Sequence, residues 1–78
     1  MQKSNHSRKY KKVIQALREL REKRKLRQFD VSKQLGAYKS YVQKIETGER
    51  RLDVVELERL CQVYGVEVAE FLRSVGIE

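Results

Sequence analysis

The sequence predicts an all-α fold of five helices in one domain, and three observations carry that expectation. Apolar residues recur at three- and four-residue steps through most of the chain, glycines fall where those periods break, and no segment alternates with period two. The 78 residues suffice for one modest core, because a chain of this size buries only about 60% of the surface its unfolded form exposes. Internal repeats and low-complexity tracts are absent.

Met1 to Lys9 is polar and basic without apolar periodicity and reads as a flexible arm, which leaves 10–78 as the folded domain. From Tyr10 to Lys25, the positions Val13, Ile14, Leu17, Leu20 and Arg24 line one face of an amphipathic first helix. A short second helix covers Gln28 to Leu35 with Val31, Ser32 and Leu35 inward, and Gly36 ends it by taking the left-handed conformation. After a three-residue turn the helical period resumes at Tyr38 and runs to Thr47, ending at Gly48. Ser32 is small, so helices two and three can approach closely. Glu49 to Leu52 forms a loop, and Asp53 with Glu56 has the spacing of a capping box. A fourth helix runs to Tyr64 with Leu57, Leu60, Cys61 and Tyr64 inward, and Gly65 closes it. A fifth, from Val68 to Ser74, returns Phe71 and Leu72 to the core.

Eighteen basic residues against eleven acidic ones give a net charge of +7. The charge is segregated, at +8 for residues 1–25, +3 for 26–51 and −4 for 52–78. A polyanion is therefore the expected partner, nucleic acid before an anionic membrane surface, and its site lies ahead of Leu52. No run of about 18 apolar residues and no signal-peptide core is present, which points to a cytoplasmic protein. With one cysteine, Cys61, and one histidine, His6, neither an intramolecular disulfide nor a zinc cluster can form. Cys61 falls at a core position. No metal and no cofactor are expected. An enzyme is not expected either, since the chain holds no acid–base pair, activated nucleophile or phosphate-cradling glycine loop.

Function concentrates on the third helix. At 100° per residue, Lys39, Ser40, Gln43, Lys44 and Thr47 fall within an arc of about 140°, opposite Val42 and Ile45. Lysine, glutamine, serine and threonine pair with base edges and phosphates, and no acid stands among them to repel a nucleic-acid backbone. A solvated polar face is the alternative for any surface helix.

The run Gln28-Phe29-Asp30-Val31-Ser32-Lys33-Gln34-Leu35-Gly36, followed by Ser40-Tyr41-Val42-Gln43-Lys44-Ile45-Glu46-Thr47-Gly48-Glu49-Arg50-Arg51, resembles the phage-repressor-type, or Xre/Cro-like, helix-turn-helix domain. The similarity extends from about Val13 to Leu72. It implies a five-helix lambda-repressor-like domain that binds double-stranded DNA as a transcription regulator, in the usual case a repressor. It also implies roles for residues. Lys39, Ser40, Gln43 and Lys44 occupy positions that face bases. Gln28 would touch a phosphate and brace the third helix, and Thr47 with the following loop, Arg50 and Arg51, would meet the backbone. Arg21, on the inward margin of helix one, and Glu46, beside Val42, match positions that form a buried ion pair. Ser32 and Gly36 are structural.

The chain departs from the family at Arg27 and Tyr38, where helix-capping Ser or Thr is common, so those caps are lost or come from a neighbour. Leu52 replaces a frequent proline. Phe29 stands where a charged residue is usual, either packed near Leu26 or left as a partner contact. The Tyr41 hydroxyl can reach a phosphate, or its ring can be buried. The cluster Lys9, Lys11, Lys12 either reaches DNA or is a solvated charge run.

One recognition helix reads too few base pairs to mark a unique site, which implies a homodimer on an inverted repeat. Val55, Val63, Val66, Val68, Val75 and Ile77 offer apolar area for it in the acidic C-terminal part. The competing class is a protein-interaction module, an antitoxin or adaptor with a protein partner. The lack of a long segment after helix five favours a stand-alone regulator.

Overall fold

The computed structural model describes residues 7–77, which form five α-helices: α1 (Arg8–Lys23), α2 (Gln28–Gln34), α3 (Tyr41–Thr47), α4 (Val54–Val63) and α5 (Val68–Ser74). No strand occurs among the described residues. Helix α1 begins at Arg8, two residues ahead of the expected boundary, because the Ser7 hydroxyl accepts the Tyr10 N–H at 3.0 Å and caps the first turn. Arg8 and Lys9 are therefore helical and Ser7 is their cap, while residues 1–6 of the expected arm lie outside the described residues. Asp53 and Glu56 form the full capping box at the start of α4.

One core collects Val13, Ile14 and Leu17 of α1, Val31 of α2, Tyr41, Val42 and Ile45 of α3, Leu57, Leu60 and Cys61 of α4, Tyr64, and Phe71 of α5. Burial pushes the Cys61 thiol up to about 11, so it packs as a small hydrophobe. Two assignments, one inward and one outward, need correction. Arg24 is the C-cap of α1 and is exposed, its guanidinium lying against Gly65. Val75, expected on the outer apolar surface, is buried in the core, because the chain leaves the helical period at the end of α5 and turns inward there.

Four helix ends close in the same way. The N–H of Leu26, Ala37, Val66 and Ile77 donates to the carbonyl five residues back, at Arg21, Ser32, Cys61 and Leu72, after α1, α2, α4 and α5 respectively. This closure needs a left-handed residue just before the donor. Glycine supplies it in three cases, but after α1 the residue is Lys25, at φ 57°. Its Cβ is strained there. Lys25→Gly is expected to raise stability by about 0.5–1 kcal/mol once glycine's greater freedom in the unfolded chain is deducted. A thermal melt with an unchanged or lowered midpoint would contradict this.

Candidate nucleic-acid interface

The connection between α2 and α3 is longer than the sequence implied. Gly36, at φ 69°, ends α2, but the chain then runs through Ser40 before α3 begins. The Tyr41 N–H donates to the Tyr38 carbonyl at 3.0 Å, which closes a turn over 38–41 instead of a helical step. Lys39 and Ser40 thus stand in the turn ahead of α3 rather than on its face, and Ser40 is the N-cap residue. Its side chain makes no cap bond. The cap comes from α2, where the Ser32 hydroxyl, fully buried, accepts the Val42 N–H at 3.0 Å. Ser32 therefore both permits close approach and satisfies a buried donor of the next helix.

The base of α3 is fixed by an ion pair. The Arg21 guanidinium meets the Glu46 carboxylate through two bonds, Nε to Oε2 at 2.7 Å and Nη2 to Oε1 at 3.0 Å, with the side chains 11% and 6% exposed. Arg21 Nη1 also donates to the Leu26 carbonyl at 2.7 Å, and Gln28 Nε2 donates to Glu46 Oε1 at 2.8 Å. The bond to Glu46 raises the Arg21 pKa above its ordinary value. Gln28 thus braces α3 directly, tying the start of α2 to its last turn.

On the outer side, Gln43 and Thr47 are exposed and Lys44 is half-buried. Thr47 Oγ1 donates to the Lys44 carbonyl. Lysine ammonium groups lie over two rings, Lys39 Nζ 5.7 Å from the centre of Phe29 and Lys44 Nζ 5.9 Å from that of Tyr38. Phe29 does not bury itself near Leu26, as packing would have it; it remains 45% exposed under Lys39.

The loop after α3 gives two of the expected phosphate-contacting residues partners within the protein. Arg50 is turned inward, with Nη2 2.8 Å and Nη1 3.1 Å from the Glu56 carboxylate and its guanidinium 5.0 Å from the Tyr41 ring centre. Tyr41 is 6% exposed, and its hydroxyl feels the Glu56 carboxylate that Arg50 also holds. Burial, reinforced by that carboxylate, pushes the Tyr41 hydroxyl up to about 12. Burial alone would raise the Glu56 pKa, but the Asp53 backbone, Tyr41 and Arg50 together bring it below the ordinary value. The loop is also held from α1, since the Leu52 N–H donates to the Tyr10 hydroxyl at 2.9 Å, and the Arg50 N–H donates to the Lys44 carbonyl. Arg51 is exposed. The sequence marked Tyr10 only as a helix start and Glu56 only as a cap. Their second roles depend on contacts 42 and six residues away, which periodicity does not report.

Two short helices joined at a glycine, with the second braced from below and carrying exposed Gln43 and Thr47, define a helix-turn-helix. A family model described as a helix-turn-helix domain matches residues 15–73. The chain belongs to this family of Xre/Cro-like helix-turn-helix DNA-binding domains. Neither the curated proteins nor the solved structures gave a significant match. Among the described residues no helix is long and apolar enough to cross a membrane.

Proposed function

We propose that this protein is a sequence-specific transcriptional regulator, acting as a repressor, that places the N-terminal end of α3 in the major groove. The observation that carries this reading is the braced helix itself. Gln43 and Lys44 stand on a helix held by the Arg21–Glu46–Gln28 network, and Lys39 and Ser40 lead into it, with no acidic side chain from Tyr38 to Ile45. Lysine suits guanine acceptors and glutamine suits adenine. Thr47 and Arg51 are the backbone contacts, together with Gln28 at the start of α2. Arg50 and Tyr41 serve instead to hold the loop.

The test begins with selection of binding sites from random duplexes. Gln43→Ala and Lys44→Ala should each cost about 1–3 kcal/mol on the selected site and little on random DNA, whereas Arg51→Ala should weaken both alike. Equal losses on the two DNAs for Gln43→Ala and Lys44→Ala would overturn the base-reading role.

A homodimer completes the reading. Val54 and Val55 at the start of α4 are exposed, and Val63, Val66, Val68 and Ile77, further along the chain, are half-buried against the core. Two copies would set their recognition helices about 34 Å apart on an inverted repeat with half-sites about 10 base pairs apart.

A further inference from the structure

Two large rings stand in water beside the groove-facing end of α3. Phe29 on α2 is 45% exposed, and Tyr38, in the turn ahead of α3, is 51% exposed. Single exposed apolar residues are ordinary. These two differ because each lies under a lysine that leads into or sits on the recognition helix, Lys39 over Phe29 and Lys44 over Tyr38. The Tyr38 ring is also held edge-on against the buried Tyr41, with centroids 5.6 Å apart. A cation over an exposed ring is a weak contact. A lysine drawn to a phosphate or a base acceptor would leave its ring uncovered at the DNA surface.

The major groove offers one apolar group for such a ring, the C5-methyl of thymine, and the neighbouring Gln43, Lys44 and Ser40 have hydrogen bonds to give rather than apolar area. Resting on the groove-reading role above, we infer that Phe29 and Tyr38 are specificity-determining residues that pack against thymine C5-methyl groups in the bound site. Lys39 and Lys44 leave the rings for DNA acceptors as the contact forms. The rings would then read a group that the lysines cannot, and the lysines would supply the attraction that brings it within reach.

Deoxyuridine tests this, since it pairs as thymine does and lacks only the methyl. In duplexes selected by the full chain, each thymine is replaced in turn. The unaltered protein should lose about fourfold in affinity at one thymine per ring in each half-site, the transfer value of one methyl group. Phe29→Ala and Tyr38→Ala should each abolish that penalty at one position and keep it at the other ring's position, with thermal melts showing that both remain folded. A flat profile for the unaltered protein, which a protein-docking role of the rings would give, overturns the inference, as does a penalty that both variants retain. Selection that enriches no sequence removes the regulator reading and this inference with it. An enriched site with a flat profile removes this inference alone.

Discussion

Replacement of Glu46 by alanine is expected to destabilise the domain by about 3–5 kcal/mol, because it leaves the Arg21 guanidinium buried without its counter-charge. Gln28 loses its acceptor in the same step. Native proteins are stable by only about 5–15 kcal/mol, so this loss would remove a large share of the domain's margin. The pair is less a source of net stability than a constraint. Arg21→Met combined with Glu46→Leu removes both charges together and should fall within about 1 kcal/mol of the starting stability, or above it. Urea titrations decide the matter, and a loss under about 1 kcal/mol for Glu46→Ala alone would remove the pair from the account of the fold.

The affinity for DNA should respond as strongly to salt. A dimer that neutralises about six phosphates would show a slope near −5 in log affinity against log salt, a fall of about 10³-fold between 50 and 200 mM. A monomer with half the contacts would give about half that slope and only tens-fold loss. Equilibrium titration of the selected duplex over that range therefore reports on assembly as well as on electrostatics. A slope close to zero would contradict a role for Arg51 and the lysines at DNA.

Much of the fold was legible in the sequence, since it rests on local physics. The five apolar periods, the Asp53–Glu56 cap and glycines 36, 48 and 65 mark elements through interactions that span only a few residues. The Arg21–Glu46 pair, 25 residues apart, was accessible only because both charges fall at the inward margins of strongly periodic helices and match the family's positions. The misplacement of Lys39 and Ser40 has a plain cause. A turn over 38–41 and a first turn of helix share similar spacing, and the choice between them is made by Ser32, which takes the Val42 N–H. The expectation that Arg50 meets the DNA backbone comes from the resemblance of its loop to the family's, which carries no information about a partner within this chain. That partner, Glu56, lies beyond the loop, at the start of the next helix.

The loop between α3 and α4 is tied by the Arg50 N–H to Lys44, by the Arg50 side chain to Glu56 and Tyr41, and by the Leu52 N–H to Tyr10. Its conformational entropy has thus already been surrendered on folding. Loops that become ordered only on their target lose affinity to that ordering, and preorganised ones do not. The proposed backbone contact by Arg51 then requires no rearrangement of the main chain. The partner meets a finished surface, and the selectivity of the encounter rests on fit rather than on a conformational change that the target must induce.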